Sequence, residues 1–333
     1  MIDLQTPRGL PVRVPEHEAE DPSARFNLED AAGIAHYYGQ QGYVIVRNVF
    51  SPNECETMKG LWEREVKPFT GFMYRQATAR AERHIKNDKG WIMNPILNLQ
   101  SVDPAHFPNF RRYATNHFLA NERLSCVLLL LLHDSPKIVQ SMYFEGNSAT
   151  WEHQDSYYLD SETVGEMAAA WIALEDIAAK AGRFFICPKS HRLKLEDHNL
   201  YNNIAENHEK YIQSVVKRIQ DDKLEIRAPV MNQGDALFWN AWTIHGSLDS
   251  HDTHRSRSSI TCHAIPQTKR FLQLQTRILD VRTEHVNHSY LYKPKDLAVL
   301  KNKIVLFIES HFPAPFYWLK KKAVVYVMRR KKA

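Results

Sequence analysis

The feature that most constrains the fold is a series of short apolar or alternating segments between Lys137 and Pro266. Turn residues such as Gly182 and Gly234-Asp235 separate several of these segments. Many short strands with turns between them are typical of a β-barrel or jelly roll. The segments are 138–144, 167–174, 183–187, 224–231, 236–240 and 257–265. The sequence therefore predicts a mainly β core with flanking helices, an α+β class of fold.

The regions on either side of this core are predicted to be helical. Asn27 is typical of a helix N-cap, and Ser51-Pro52-Asn53-Glu54 has the pattern of a capping box. A short apolar strand lies between these two helix starts. We predict one domain over 1–333, which comprises an N-terminal helical region with a leading strand (27–136), a jelly-roll core (137–266) with a helical insert near 195–222, and C-terminal helices with a basic tail (267–333).

The positive charge of the chain is concentrated at its C-terminus. The formal net charge is +5, and seven lysines and arginines with no acidic residue lie between Ser310 and Ala333, which leaves a charge of −2 for the rest. A nucleic-acid partner requires a basic face on the folded domain, so we expect none. We expect the tail to pack on the domain as a terminal helix, with weak contact to an anionic membrane surface as the alternative.

Cysteine spacing and hydropathy predict a cytoplasmic protein without a transmembrane segment. The four cysteines are far apart and form no Cys-x-x-Cys motif, which fits a reducing compartment. The N-terminal region has no apolar run of the kind found in signal peptides. The longest apolar run, Val127–Leu132, is far shorter than the roughly 20 residues that a membrane-spanning helix requires.

A candidate metal site follows the first strand of the β region. In the segment His153-Gln154-Asp155, alternate side chains of an extended chain point to the same side, so the imidazole and the carboxylate can face one ion. His245 lies 92 residues downstream, directly after an apolar strand, and could supply a third ligand. Two histidines and one carboxylate leave three coordination positions open, as in iron(II) oxygenases.

An oxygenase of this kind needs a cation for the distal carboxylate of 2-oxoglutarate, and the arginine fork matches a carboxylate best. Arg257 opens the strand that ends in His263, twelve residues beyond His245. Arg255 is the alternative anchor, although the spacing to His263 favours Arg257.

Two other functions use the same residues. Zinc bound by His153, Asp155 and His245 could activate water for hydrolysis, but Arg257 would then have no evident role. A non-catalytic small-molecule-binding jelly roll is the other alternative, and the complete His/Asp/His set argues against it. The motif His-x-Asp alone is weak evidence for a metal site, because it occurs by chance in many proteins. The order of all four residues within a β region makes the metal hypothesis the stronger one.

Four further segments resemble the phytanoyl-CoA dioxygenase family, and the resemblance runs from about Ala35 to Pro266. The segment at 37–50 (YYGQQGYVIVRNVF) resembles the family's first helix and strand. The matches that follow are AWIALED at 170–176, GRFFICPKSH at 182–191 and GDALF at 234–238. The sequence departs from the family at 145–147, where many members have Lys-Pro-Pro, and at Lys189, where they have glycine.

The resemblance implies a double-stranded β-helix, a cupin-like jelly roll, that binds Fe(II), 2-oxoglutarate and O2. It assigns the metal to His153, Asp155 and His245, and the co-substrate to Arg257 and Ser247. Gln140 and Trp171 match positions that line the co-substrate pocket in some relatives. The implied activity couples decarboxylation of 2-oxoglutarate, to succinate and CO2, with C–H oxidation of a small metabolite or biosynthetic intermediate.

The expected outcome of the reaction is hydroxylation, with ring closure or desaturation by the same oxidant as the alternatives. Related halogenases have a small residue at the carboxylate position, which leaves room for chloride, whereas Asp155 fills that space. Trp151, Tyr157 and Tyr158 flank the motif and are candidates for substrate contact, with core packing as the equal alternative. The cationic segment 70–100 could form a lid over an anionic substrate, or simply a solvated surface.

Overall fold

The structure is a computed structural model, and it describes residues 1–146, 149–193 and 204–330. The strands, numbered in chain order, are β1 Ile2–Gln5, β2 Pro11–Val14, β3 Arg25–Phe26, β4 Tyr43–Val46, β5 Met73–Tyr74, β6 Ala81–Glu82, β7 Ile96–Leu97, β8 Pro136–Phe144, β9 Thr150–His153, β10 Leu159–Ser161, β11 Ala168–Ala173, β12 Phe184–Ile186, β13 Ala236–Asn240, β14 His245–Ser247, β15 Ser259–Pro266, β16 Phe271–Gln273, β17 Arg277–Leu279, β18 Thr283–Val286 and β19 Ser289–Tyr292.

Helices flank these strands on both sides in the sequence. The α-helices of the described ranges are α1 Ala31–Gln41, α2 Pro52–Leu61, α3 Pro108–Tyr113, α4 Glu122–Leu132, α5 Ile204–Asp221, α6 Leu300–His311 and α7 Pro313–Arg330. Helices α2 and α3 continue as π-helical turns over Trp62–Val66 and Ala114–Leu119. Short 3₁₀ turns occur at Glu18–Glu20, Leu99–Ser101, Asp155–Tyr157 and Ser190–Arg192.

One large sheet and two small ones form the core. The large sheet has the strand order β18-β19-β8-β15-β11-β13-β4-β3, with β7 also paired to β8. The small sheets have the orders β12-β14-β9 and β10-β16-β17. The long central strands β8, β15, β11 and β13 pair antiparallel with one another. His153 and the segment 245–247 belong to the small sheet β12-β14-β9, and Asp155 lies in the 3₁₀ turn that follows β9.

The two faces of the large sheet have different partners, because side chains alternate along a strand. On the outer face, Ile172, Phe238 and Ile260 pack in the main apolar cluster with residues of α2, α3 and α4. On the inner face, Trp171 and Trp239 pack with side chains of β12, including its Phe184 and Ile186. The large sheet and the sheet of β12 therefore enclose a common interior. This confirms the predicted jelly-roll core with flanking helices.

The predicted capping box is confirmed at the start of α2. The Ser51 hydroxyl accepts a hydrogen bond from the Glu54 backbone N–H at 3.3 Å, and the Glu54 carboxylate accepts one from the Ser51 N–H at 2.7 Å. The predicted cap at Asn27 is wrong by three positions. Asp30 caps α1 instead, since its carboxylate accepts from the Gly33 N–H at 2.9 Å.

The prediction of helices throughout 267–333 needs correction, because strands β16 to β19 occupy much of 271–292 and the helices begin only at Leu300. Strand β19 pairs parallel with β8 through Tyr290 and Leu291, and so extends the large sheet at its edge. These strands are three or four residues long. Segments of this length carry too few alternations to define a period, which explains the error.

The large sheet also extends beyond the predicted core limits of 137–266. The leading strand β4, placed with the N-terminal region, pairs with β13, and β3 pairs with β4. The predicted helical insert near 195–222 begins outside the described residues. Within them, α5 spans Ile204–Asp221, and its Tyr211 hydroxyl accepts from the Gln154 N–H at 2.8 Å. Helix α5 thus packs directly behind the His-x-Asp segment.

The turn before β13 contains Gly234, and substitution tests whether glycine is required at this position. Its φ angle is +87°, and an added Cβ would overlap the carbonyl oxygen of Phe50. Gly9 has a similar φ of +82° but has nothing within 4 Å of the Cβ position. We expect Gly234→Ala to lower the free energy of unfolding by about 3 kcal/mol, through backbone overlap added to left-handed strain. Gly9→Ala should cost about 1 kcal/mol, the strain alone.

Urea unfolding of both variants, followed by tryptophan fluorescence, measures this difference. Equal destabilisation by the two substitutions would show that the close approach to Phe50 does not require glycine at 234.

Candidate metal and co-substrate site

Pairing of β9 with β14 brings the two candidate histidines together. His245 lies directly opposite His153 in the antiparallel register, and their ring centroids are 4.3 Å apart. Asp155 follows β9 by two residues and completes the group. Its Oδ1 atom lies 3.5 Å from the Nε2 atoms of both His153 and His245. One ligand atom from each of the three residues lies within 4.8 Å of the others, so all three can face one ion.

Backbone carbonyls orient both imidazole rings. The Nδ1 atom of His153 lies 2.8 Å from the Trp151 carbonyl oxygen, and that of His245 lies 2.9 Å from the Thr243 carbonyl oxygen. Because a carbonyl can only accept, each Nδ1 carries the proton and each Nε2 has a free lone pair. Both free lone pairs belong to the atoms nearest Asp155. This is the tautomer that a metal ligand requires.

The second oxygen of Asp155 is held by residues that the sequence did not single out. The Trp239 indole N–H donates to Oδ2 at 2.7 Å, and His263 Nε2 lies 3.3 Å from the same atom. Burial alone would raise the pKa of Asp155, but the surrounding imidazoles hold it well below its usual range. Asp155 is therefore a carboxylate with one oxygen fixed and the other directed to the two histidines.

Strand periodicity alone places His263 on the face of Arg257, whereas placing Trp239 there also requires the strand pairing. His263 and Arg257 lie an even number of residues apart on one extended segment, so they share a face. Trp239 pairs with Ala169, which pairs in turn with His263, so all three positions share the inner face. The missing information was the strand register, which single-sequence patterns do not supply.

Arg257 is a buried cation without a counter-ion. The residue is 2% exposed, and its Nη1 donates to the Gly182 carbonyl oxygen at 3.1 Å. The guanidinium lies over the rings of Phe144, at 5.1 Å, and Trp171, at 5.8 Å. No carboxylate of the described residues lies within ion-pairing distance of it, and burial lowers its pKa to about 9. By contrast, the Arg255 side chain is 68% exposed and faces Asp252 at 3.9 Å.

Three buried nitrogens of the inner face lack a hydrogen-bond partner within the part of the chain that the structure describes. They are Nε of Arg257, Nε1 of Trp171 and Nδ1 of His263. Buried donors in native proteins are almost always satisfied, so groups of this kind indicate a bound water or ligand. The two donors, Arg257 Nε and Trp171 Nε1, suit an anion with several acceptor oxygens, whereas Nδ1 of a neutral His263 accepts when Nε2 donates to Asp155. A dicarboxylate such as 2-oxoglutarate fits this description.

Ser247 and Gln140 also face the interior. Ser247 pairs with Phe184 of β12, and its hydroxyl accepts from the Thr150 N–H at 3.0 Å. Gln140 lies opposite His263 in the register of β8 and β15. The same Gln140 lines a cavity of about 370 Å³, and His153, Asp155 and His245 are not among the residues of its wall.

This cavity has mostly apolar and aromatic walls, contributed by several distant parts of the chain. The 69–79 region supplies Phe69, Phe72 and Met73, and the C-terminal part supplies Phe271 and Phe307. Polar groups, among them those of Gln140, Asn98 and Lys295, are present at separate points of the wall. A volume near 370 Å³ lies in the range of about 300–1,000 Å³ that small-molecule sites occupy.

The aromatic residues beside the motif do not share one environment. Tyr157 is fully buried and stacks on Tyr211 at 3.6 Å between ring centroids, which is the core-packing alternative. Trp151 is 36% exposed, and its indole N–H donates to the Tyr158 hydroxyl at 3.2 Å. The Tyr158 ring lies 5.6 Å from that of His153. Only Trp151 and Tyr158 are therefore placed to border the cluster.

The cationic segment 70–100 is not all solvated surface, because one of its arginines is buried and holds the segment together. Arg75 is fully buried, and its guanidinium donates to the carbonyl oxygens of Asn94, at 3.0 Å, and Glu82, at 3.3 Å. Its Nη2 atom lies 3.0 Å from Nδ1 of His84. Arg75 thus fixes the fold of this segment and is not free to bind a substrate.

Comparison with known proteins agrees with this geometry. The profile of the family "Phytanoyl-CoA dioxygenase (PhyH)" matches residues 38–259. "Phytanoyl-CoA dioxygenase, peroxisomal" of Bos taurus is 22% identical over 237 residues, which cover 68% of this chain and 66% of that protein. The match thus spans slightly less than two thirds of that relative.

Solved structures with a similar fold include two from nogalamycin biosynthesis. The non-heme alpha ketoglutarate dependent epimerase SnoN has a TM-score of 0.55 and 15% identity, over 79% of this chain and 98% of its own. The carbocyclase SnoK has a TM-score of 0.53 and 16% identity, over 75% of this chain and 89% of its own. At these identities the similarity shows the fold alone. The profile match covers more than half of the chain, and the chain therefore belongs to the phytanoyl-CoA dioxygenase family, whose enzymes use iron(II), 2-oxoglutarate and dioxygen.

Proposed function

We propose that this protein is an Fe(II)- and 2-oxoglutarate-dependent dioxygenase that hydroxylates a small, largely apolar metabolite or biosynthetic intermediate. The observation that carries the proposal is the buried Arg257, which has no carboxylate partner in the described structure and lies in the same interior as the His/Asp/His cluster. The His/Asp/His ligand set alone would also suit other classes of metal enzyme. The combination with an unpaired, desolvated guanidinium suits a metal enzyme with an anionic co-substrate.

The proposed ligands of iron are the Nε2 atoms of His153 and His245 and the Oδ1 atom of Asp155. These three residues would hold iron(II) and leave it room to bind 2-oxoglutarate and O2. Bound iron(II) supplies the oxidative chemistry, in which 2-oxoglutarate yields succinate and CO2. The chain itself positions the groups and excludes water from the interior.

Arg257 would hold the distal carboxylate of 2-oxoglutarate, with Ser247 as a hydroxyl that assists it. The pairing gains strength from burial, since a low dielectric increases the attraction between unlike charges. Trp171 and His263 each have an unpaired buried nitrogen on the same inner face. The Trp171 indole N–H would donate to a carboxylate oxygen of the co-substrate, directly or through water, and Nδ1 of His263 would accept from a bound water.

Hydroxylation is the proposed outcome because Asp155 occupies the position that halogenases leave open. Asp155 is also held in place by Trp239, which donates to Oδ2 at 2.7 Å and limits movement of the carboxylate away from the metal. A hydroxylase transfers one atom of O2 to its product. Labelling with ¹⁸O2 and mass spectrometry of the product test this step, and chloride should not change the product.

The proposed substrate occupies the cavity of about 370 Å³ that Gln140 borders. Its aromatic walls favour an apolar body, and the Gln140 amide could orient one polar group near the reacting carbon. Trp151 and Tyr158 would contact the substrate beside the three residues that would hold the metal. A cytoplasmic location stays a prediction, with the support that the structure leaves all four cysteines free.

Loss of Asp155 should abolish both metal binding and turnover. We expect Asp155→Ala to eliminate tight Fe(II) binding in an anaerobic titration, and to eliminate succinate formation from 2-oxoglutarate in air, because two neutral imidazoles alone bind iron weakly. Asp252→Ala, which removes a partly exposed carboxylate in a surface loop, is the control. Succinate formation that persists in Asp155→Ala would rule out this residue as a ligand.

Arg257 should control the affinity for 2-oxoglutarate and leave iron binding intact. We expect Arg257→Gln to raise the KM for 2-oxoglutarate roughly 10- to 100-fold, since hydrogen bonds to a charged group contribute about 1.5–3 kcal/mol. Arg255→Gln, the exposed neighbour, should leave KM unchanged. A larger effect from Arg255 than from Arg257 would reverse the assignment of the anchor.

Trp239 should act as a positioning residue for the metal. Trp239→Phe keeps most of the packing but removes the hydrogen bond to Asp155 Oδ2, so we expect Fe(II) to bind about 10-fold more weakly or worse. The KM for 2-oxoglutarate, measured at saturating iron, should change little. Trp318→Phe, at an exposed position of α7, is the control. An unchanged iron affinity would show that this hydrogen bond does not position the carboxylate.

A further inference from the structure

Exposed apolar side chains are concentrated on the two C-terminal helices. Fifteen large apolar side chains are exposed among the residues whose exposure the structure describes, and eight of them lie between Val299 and Leu319. On α6 they are Leu300, Ile304, Phe307 and Ile308, and on α7 they include Trp318 and Leu319. We call this set, with Val299 and Phe312, the C-terminal apolar surface. Contiguous patches of this kind usually mark an interaction site.

The orientation of α6 explains why this surface faces outward. Leu300, Ile304 and Ile308 follow one another at intervals of four residues, so they form one stripe along the helix. Glu309 lies on the opposite side and is only 3% exposed. Its carboxylate accepts from the Tyr317 hydroxyl at 2.6 Å and from the Ala81 N–H at 3.2 Å. These bonds fix the rotation of α6 with its apolar stripe away from the domain.

Cations without an ionic partner surround the apolar surface. Arg80 lies over the Tyr317 ring at 4.4 Å, and Arg83 lies over the Phe72 ring at 5.0 Å. Lys322 lies over the Trp318 ring at 4.5 Å. None of these three, nor Lys301 or Lys320, forms a salt bridge with a carboxylate of the described residues.

Three acidic groups near this surface form ion pairs, and Glu82, which lies near enough to Tyr317 to affect it, is outnumbered by the cations named above. Asp103 accepts from Lys303 at 2.8 Å, and Asp296 forms an ion pair with Arg111 at 2.7 Å. Glu309, besides its hydrogen bonds, lies 3.7 Å from the ammonium group of Lys295. The outward potential of the surface is therefore positive.

We propose that the C-terminal apolar surface docks on a membrane that carries anionic lipids. The apolar stripe would enter the boundary between headgroups and acyl chains, while the surrounding arginines and lysines contact anionic headgroups. The helices would lie along the bilayer, since none of those described is long and apolar enough to cross it. The proposal does not depend on the metal or on the reaction.

The position of the cavity gives this docking a structural consequence. Phe307 belongs to the apolar surface, and it also lines the cavity of about 370 Å³ together with the neighbouring His311. One turn of α6 therefore borders both the C-terminal apolar surface and the cavity.

Vesicle flotation with the full chain tests the proposal. The probes are vesicles of phosphatidylcholine alone and vesicles of phosphatidylcholine and phosphatidylglycerol in equal parts. We expect binding to the anionic vesicles only, and a decline as the salt concentration rises toward about 1 M, where the Debye length falls to about 3 Å. Lys320→Gln/Lys322→Gln should weaken the partition coefficient at low salt by about 10-fold or more, because each surface cation contributes about a factor of five.

The apolar stripe is tested by Ile304→Ser/Ile308→Ser, which changes no cavity-lining residue. This variant should lose vesicle binding at least about 10-fold while its thermal unfolding midpoint and its succinate formation stay unchanged. The matched control is Leu274→Ser/Ile278→Ser, which alters apolar residues of similar exposure, 41% and 48%, near β16 and β17. The control should bind vesicles as the unaltered protein does.

Three outcomes would overturn the proposal. The first is no binding to anionic vesicles, and the second is equal binding of the unaltered protein and Ile304→Ser/Ile308→Ser. The third is a dimer in sedimentation equilibrium that this variant dissociates, without any vesicle binding, which would assign the surface to a second copy of the chain.

Discussion

The antiparallel register of β9 and β14 is the constraint on which the site depends. It places His245 opposite His153, and each ring is then held by a carbonyl of its own strand or of the turn before it. A shift by one residue would turn the imidazole of one strand to the other face, because side chains alternate with a period of two. The register is supported from both sides, since β12 pairs with β14 through Ile186, and the Tyr211 hydroxyl contacts Gln154 beside the motif.

Burial then determines what the interior can bind. A charge in a low-dielectric interior raises the free energy of the folded state unless it is paired. Asp155 and Arg257 differ in the groups that surround them. Asp155 is surrounded by imidazole and indole nitrogens, which keep its pKa low despite burial. Arg257 has one carbonyl acceptor and aromatic neighbours, and its pKa falls to about 9. A metal ion can neutralise the first group and an anionic co-substrate the second, so both charges are relieved only when the site is loaded.

The candidate ligands could be predicted from the sequence because the signal is local. His153 and Asp155 lie in one short segment, and a histidine after an apolar strand is visible without any knowledge of pairing. Trp239 and His263 were not found, because their contact with Asp155 depends on which strands are neighbours and in what register. For the same reason the sequence predicts helix where strands occupy much of 271–292. These strands are very short and depend on pairing with distant parts of the chain, β16 with β10 and β19 with β8.

The substrate is harder to predict than the metal site, because the family match does not cover the whole cavity wall. The family match ends at residue 259, shortly after Arg257. Much of the cavity wall lies beyond that point, including Phe271, Tyr292 and Phe307. Strand β19, which leads to this part of the wall, pairs with β8, the strand that carries Gln140. The matched part of the chain supplies the rest of the wall, including Phe69, Phe72 and Gln140, so both parts meet at this cavity. The resemblance to the family therefore covers the candidate metal site in full and the cavity wall only in part.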